Sequence, residues 1–480
     1  MSSGTPTRYQ QLADELASSI RSGVLRPGDR LPSVRDLRRQ RGVSPSTIFQ
    51  AYAQLESQGL VEARARSGHF VRARRLLTGQ PPEAAQPSGR VTPVAISGLV
   101  FELLGSTRDV DVVPLGSAFP APGLFPFAAL ARGGARAMRR LGPAQISGAL
   151  TAGDESLRAQ VGRRYALNGV SLRADELIVT NGAMEALNLC LQAVTQPGDV
   201  VVVESPTFYA ALQALERLHL KAVEVETDPV EGVRLGALET LLQHQKVAAC
   251  WFMPTFQNPL GALMPDAKKQ ALVQLLARYG VPLIEDDVYA ELHFGARRPL
   301  PAKAFDQEGL VLHCSSFSKS LAPGYRVGWA AAGRYARDVE ILKMMTSLAS
   351  PIPPQLAIAE YLVQGGLERH LRNLRDALRT QHAEARALIE QFFPKGTRMT
   401  EPQGGYFVWL ELPPGVDALK MHHQAMAQSI STAPGVLFSA DRRFTRHLRL
   451  NVGHPIDQRI RAALKWLGAL AHEQSAAALA

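Results

Sequence analysis

The sequence predicts an α/β protein in two parts: a small winged helix-turn-helix, then a large body on a doubly wound, mostly parallel sheet. Three observations carry this. Charge is split, since residues 1–75 hold thirteen arginines and no lysine against six acids, a net +7, whereas the rest of the 480-residue chain supplies only +3 of the total +10. Residues 8–72 are punctuated as three short helices and a hairpin. From Val112 onward, apolar runs of strand length alternate with amphipathic stretches of helical period.

The amino-terminal elements follow from local patterns. Leu12, Ala13, Leu16, Ala17 and Ile20 form a helical stripe, which Gly23 and Pro27-Gly28 end. Ser33-Val34-Arg35-Asp36 has the form of a capping box that opens a second helix. Ser33 is therefore read as a cap rather than a base reader. Gly42-Val43 is the turn. Ser44 caps a third helix with Pro45 at its first position, where a missing N–H costs nothing. Ile48, Ala51, Tyr52 and Leu55 keep helical spacing, and two extended runs around Ser67-Gly68 make a hairpin. A basic patch confined to so small a unit suits a polyanionic partner.

A length of 480 allows about three domain-sized units, and 46% hydrophobic residues are enough for a sizeable core. Cys190, Cys250 and Cys314 are few and far apart, so neither a disulfide framework nor a metal site is expected. The first residues lack the pattern of a signal peptide, and no apolar run reaches membrane-spanning length, so a cytoplasmic protein with no membrane partner is expected. Residues 76–92 are rich in proline, glycine and serine and read as a flexible connection. The domains expected are 1–75 for the helix-turn-helix, 76–110 for the linker and 111–480 for the body.

In the body, residues 178–180, 200–204, 247–253, 283–286 and 310–314 read as strands, with helices over 184–194 and 267–278 between them. Polar motifs fall just after those strands, where ligands bind in such sheets. Behind Leu310-Val311-Leu312, the run Ser315-Ser316-Phe317-Ser318-Lys319 sets one lysine among hydroxyls, with Arg326 seven residues on. A lysine so placed beside an anion site suits a Schiff base with pyridoxal phosphate (PLP). Asn181-Gly182-Ala183-Met184 opens a helix whose N-terminal N–H groups suit a phosphate.

Two resemblances sharpen this. Leu31-Pro32-Ser33-Val34-Arg35, Val43-Ser44, Thr47, Ala51-Tyr52 and Leu55-Glu56 resemble the GntR family of bacterial repressors. That resemblance implies that Arg35, Ser44, Ser46 and Thr47 face double-stranded DNA, with Arg64 and Arg66 on the wing. Pro45 stands where the family often has arginine, so base readout leans on Arg35, Ser46 and the wing; Arg35 also has Asp36 and Asp29 within reach as ion-pair partners. The lysine segment resembles the aspartate aminotransferase superfamily, of fold type I, which implies a body with a small C-terminal α+β domain. By that resemblance Lys319 is the cofactor lysine, and Gly182, Ala183, Ser316 and Arg326 hold the phosphate. Phe208, with Tyr209 second, stacks on the cofactor ring; Asn258 and Tyr289 bond its phenolic oxygen; Asp286 keeps the pyridine nitrogen protonated. Arg449, in Arg449-Leu450-Asn451-Val452-Gly453, is then the substrate-carboxylate clamp or, failing that, a structural ion pair. Residues 146–151 hold no tyrosine where the family commonly has one that reaches the neighbouring subunit's phosphate, so this motif does not supply the source of that contact.

The combination resembles the MocR-type regulators over almost the whole chain. It implies a homodimeric, PLP-dependent transcriptional regulator that binds operator DNA and senses an amino acid or amine through aldimine exchange at Lys319. The alternative is an active PLP-dependent aminotransferase with an accessory DNA-binding domain. The +7 module favours the regulator, because an enzyme has no need of it.

Overall fold

The computed structural model describes residues 8–21, 25, 28–57, 60–64, 68–71, 81–105, 111–143 and 152–478. The amino-terminal unit contains the helices Arg8–Arg21, Val34–Arg41 and Pro45–Ser57, followed by the hairpin Val61–Arg64 with Gly68–Val71, paired Val61 to Val71. Its caps are those the sequence predicts. The Asp36 N–H donates to Ser33 Oγ at 3.2 Å, and the Ser33 hydroxyl donates to Asp36 Oδ2 at 2.6 Å. Gly42 ends that helix in the left-handed conformation, φ 63°, which only glycine adopts freely. Thr47 N–H donates to Ser44 Oγ at 3.2 Å. Leu12, Ala13, Leu37, Ile48, Ala51, Tyr52 and Leu55 form a separate small core with Val61 and Val71. Truncating Leu55 there costs about 2–5 kcal/mol.

Residues 81–92 differ from the expectation of a flexible connection, whereas the short helix the sequence suggests over 96–104 is present as Ser97–Gly105. Glu83 N–H donates to Glu411, Gln245 donates to the Gly89 carbonyl, and the Ile96 and Ser97 N–H groups both donate to Glu216. Thr92–Pro93 adds an edge strand to the main sheet, and helix Ser97–Gly105 buries Val100 and Leu103 in the body's core. Turn-rich composition gives no sign of docking when the partners are carboxylates and amides more than a hundred residues away.

Among the described residues the main sheet has nine strands. Along it run Thr92–Pro93, Lys221–Asp228, Val200–Ser205, Ala249–Phe252, Leu283–Asp286, Val311–Ser316, Gly328–Ala331 and Leu177–Thr180, with Gly232–Val233 paired to Lys221–Asp228. The strands from Lys221–Asp228 to Val311–Ser316 are parallel, while Gly328–Ala331 is antiparallel to both neighbours. Strands buried on both faces read as near-continuous apolar runs. Alternate residues of one strand enter different cores: Val201 and Val203 pack with helix Ala183–Val194, Val202 with helices Leu235–His244 and Asp266–Tyr279. Helices therefore cover both faces. A second, antiparallel sheet of Arg398–Met399, Phe407–Glu411, His447–Asn451 and Ala433–Pro434 packs its own core with helices Leu367–Phe392, Ala418–Met426 and Gln458–Ala477, the small α+β domain. Among the described residues no helix is long and apolar enough to cross a membrane.

Candidate cofactor site and DNA-facing surface

The strand ends bring the predicted residues together. Leu177–Thr180 runs into Gly182, which stands at φ 81°, ψ 171° as the N-cap of helix Ala183–Val194, with no side chain capping it. The Arg326 guanidinium lies against it: a Cβ at Gly182 would sit 2.3 Å from Arg326 Nη2. Arg326 Nη1 donates to Ser318 Oγ at 3.1 Å and Nη2 to the Asn181 carbonyl at 3.2 Å. Ser316 Oγ accepts from Ser318 N–H at 3.3 Å. A helix N-terminus with no side-chain cap, an arginine and serine hydroxyls together form a cradle that suits an anion. Gly328 packs so close beneath it that a Cβ would meet Gly182 C at 2.6 Å.

Lys319 Nζ donates to the Ala118 carbonyl at 2.8 Å and lies 3.6 Å from the Phe119 ring centroid. Burial, with Arg449 and Arg326 nearby, pulls its amine down to about 7 against the pull of Asp286. Asp286 is pushed up to about 7, by burial first and then by the neighbouring Asp287. The three consecutive acids divide by face. Glu285 accepts from His313 Nδ1 at 2.8 Å and Asp287 Oδ2 pairs with Arg298 at 2.8 Å, whereas Asp286 has no such cationic partner among the described residues; one oxygen of each aspartate, Asp286 Oδ1 and Asp287 Oδ1, is buried without a hydrogen bond. That division agrees with Asp286 as the inward one.

Arg449 is fully buried. Its Nη2 donates to the Gly116 and Ser117 carbonyls at 2.6 and 3.2 Å, Nη1 reaches Asn258 Oδ1 at 3.4 Å, and its guanidinium lies 4.3 Å from the Phe407 ring. It has no carboxylate partner among the described residues. Asn258 Nδ2 is likewise buried without a partner. Tyr289 is in hydrogen-bond contact with Tyr406, whose hydroxyl donates to the Ala118 carbonyl at 2.9 Å. Phe208 stands at the N-cap of helix Tyr209–Arg217 with its ring 4.9 Å from that of Tyr209. Sequence reasoning missed Ser318, Tyr406, Phe407 and the segment 116–119. Ser318 alone carried a signal, as one of the hydroxyls beside Lys319.

The chemistry fits PLP on three observations. They are the two orphaned polar atoms at Asp286 and Asn258, the uncapped glycine cradle that a Cβ would fill, and a lysine held near neutrality.

On the amino-terminal unit, Arg35, Ser44 and Ser46 are exposed and Thr47 half-buried. Ser44 Oγ lies 2.9 Å from Ser46 Oγ and 2.8 Å from Thr47 Oγ1, so the three hydroxyls cluster at the helix N-terminus. Asp36 pairs with Arg39 at 3.7 Å, leaving Arg35 without an ion pair among the described residues. For Arg64 the backbone lies in the hairpin; Arg66 and residues 146–151 lie outside the described residues.

This fold and site define a PLP-dependent, aminotransferase-type body carrying a winged helix-turn-helix. The chain matches the family "Aminotransferase class I and II" over residues 147–465 and "Bacterial regulatory proteins, gntR family" over 8–71. It is 46% identical over 97% of its length to the uncharacterized HTH-type transcriptional regulator YdcR of Escherichia coli, covering 99% of that protein. It is 32% identical to aromatic-amino-acid aminotransferase 1 of Thermococcus litoralis, over 78% of this chain and 91% of that one. The crystal structure of Pyrococcus horikoshii kynurenine aminotransferase superposes with a TM-score of 0.73 at 31% identity, covering 78% of this chain and 94% of the other. The chain belongs to the class I and II aminotransferase family and, with its gntR domain, has the MocR-type architecture. It is a PLP-dependent DNA-binding regulator.

Proposed function

We propose that the body senses an amino acid or amine at Lys319 and passes its occupancy to the DNA-binding domain through the segment 116–119. One observation carries this reading. Lys319 donates to Ala118, Arg449 to Gly116 and Ser117, and Asn451 to Ser117 and Phe119. Both residues proposed to grip the ligand thus hold the same short stretch of chain. When bound, PLP supplies an aldehyde that condenses with amines and a ring that withdraws electrons. Gly182, Ala183, Ser316 and Arg326 anchor its phosphate, Phe208 packs on its ring, and Asn258 and Tyr289 orient its phenolic oxygen. Asp286 holds a proton at the pyridine nitrogen. Near pH 7 a large share of Lys319 is the neutral, nucleophilic amine.

An incoming ligand with a carboxylate takes Arg449 from the Gly116 and Ser117 carbonyls. An amine that takes the place of Lys319 on the cofactor would return the lysine as a free amine, able to donate to the Ala118 carbonyl as it does here. Both changes act on 116–119, which follows in sequence the stretch that leads back to residues 8–71. The reading needs the two states of that segment to differ in DNA affinity, a coupling free energy between sites.

We further propose a homodimer. Ile341, Met344, Met345 and Leu348 are exposed at helical spacing on and just after helix Ala336–Thr346, an apolar stripe that supports burial against a second copy. The second functional reading, an active aminotransferase, is favoured by the same lysine: its near-neutral amine suits a base for proton transfer. A spectroscopic titration of the PLP-loaded protein with a panel of amino acids and amines tests the sensing reading. A spectral change specific to one class of amine, at a slow or absent rate of keto-acid release, supports it. Rapid keto-acid release with no effect on DNA binding overturns it.

A further inference from the structure

The third helix, Pro45–Ser57, carries one acid, Glu56, and neither arginine nor lysine, although the domain around it is strongly basic. Its inner side is Ile48, Ala51, Tyr52 and Leu55, each no more than 1% exposed. Its outer side is Ser46, Phe49, Gln50 and Ala53, all exposed and three or four residues apart, hence on one face. Phe49 is 57% exposed; among the described residues of the amino-terminal domain it is the one large apolar side chain standing so far into solvent. Nothing in the core asks for a phenyl ring there, and Ala53 and Ser46 beside it are too small to cover it.

The helix that carries this face is firmly set. Ser44 caps it, and the Tyr52 hydroxyl donates to the Pro32 carbonyl at 2.5 Å, tying it to the turn before the second helix. In a winged helix-turn-helix the first turns of this helix enter the major groove. What the groove offers an uncharged face is limited. Guanine is read mainly by arginine or lysine, which the helix lacks; adenine presents a donor and an acceptor that match a glutamine amide; thymine presents a methyl group that matches an apolar side chain.

We propose that Phe49 and Gln50 join Ser46 as base-reading residues of this helix and that they select A·T pairs, Phe49 packing on a thymine methyl and Gln50 bonding a neighbouring adenine. Guanine readout in the half-site then falls to Arg35, outside this helix. The inference rests on the reading of residues 8–71 as the DNA-binding domain and adds which bases it takes.

The test is selection of duplexes from a random library by the full chain, followed by anisotropy titrations on a selected duplex. Single thymines are then replaced by deoxyuridine, which removes only the methyl group. At one thymine per half-site the replacement weakens wild-type binding about fourfold, as expected for one buried methyl group. Phe49→Ala binds the thymine and deoxyuridine duplexes equally, while its melting temperature stays that of wild type because the ring is exposed. Gln50→Ala loses at least about fivefold in preference for the adjacent A·T pair. Selected sites whose deoxyuridine forms all bind like the parent, or a Phe49→Ala protein that still discriminates, overturn the inference while leaving DNA binding intact. If no sequence is selected at all, the DNA-binding reading fails and takes this inference with it.

Discussion

Gly182→Ala probes the phosphate cradle through one methyl group. The residue stands at φ 81°, ψ 171°, a region open essentially to glycine alone, so the substitution stores about 1–3 kcal/mol of backbone strain. The new Cβ would lie 2.3 Å from Arg326 Nη2 and 2.8 Å from Cζ, well inside contact distance. Arg326 is itself in the left-handed conformation, φ 52°, and its guanidinium is fixed by Ser318 and the Asn181 carbonyl. It has to swing out, and a charge-assisted bond to phosphate goes with it, about 1.5–3 kcal/mol. The PLP dissociation constant should therefore rise about 10–150-fold. Stripping the cofactor and titrating it back by absorbance and protein fluorescence reads this directly. Gly162→Ala is the control, because a Cβ there meets nothing within 4 Å in helix Glu155–Leu167. Unchanged affinity in Gly182→Ala, or an equal loss in Gly162→Ala, would refute the cradle.

The pH dependence follows from Lys319. Its amine is lowered to about 7, so the neutral form grows as pH rises through 7; covalent PLP capture should accelerate from pH 6 to about 8 and then level off. A lysine at its ordinary value of about 10.4 would keep accelerating to pH 10, and that profile would contradict the assignment, as would covalent capture in Lys319→Ala. Asp286→Asn should keep PLP bound, since the phosphate contacts remain, yet slow any transamination by orders of magnitude. Wild-type rates in that variant would give the role to Glu285 or Asp287. Arg35→Ala should cost about 1–3 kcal/mol in discrimination between operator and random duplex if it makes a bidentate base contact. A uniform loss on both duplexes, with a salt slope lower by about one, would make it a phosphate contact instead.

The strand-end motifs were legible because each is local. A four- to six-residue apolar run, then a glycine, proline or lysine with its polar neighbours, places the residue at the carboxyl edge of a parallel sheet without knowledge of the strand order. The caps at Ser33 and Ser44 were legible for the same reason. What was hidden is long-range. Ala118 meets Lys319 across 201 residues and Tyr406 across 288, and Gly116 meets Arg449 across 333. A backbone carbonyl leaves no trace in side-chain pattern, so no spacing rule finds segment 116–119. Gly328–Ala331 was missed because Gly-Trp-Ala-Ala has neither length nor β-branched residues; burial between two neighbours makes it a strand. Tyr406 and Phe407 follow Gly404 and Gly405 in a stretch that reads only as a turn leading into a strand.

The central claim is that occupancy at Lys319 controls DNA affinity. Its most direct test is fluorescence anisotropy of the PLP-loaded chain on a duplex from its own upstream promoter, with and without the amine that shifts the cofactor spectrum, in wild type and Lys319→Ala. The account predicts that both proteins bind that duplex more tightly than a random one at physiological salt. It predicts that the amine changes the affinity of wild type by about 5–150-fold, the usual range of such couplings, and leaves Lys319→Ala unchanged. Wild type binding its promoter no better than random DNA, or Lys319→Ala responding as fully as wild type, would contradict it.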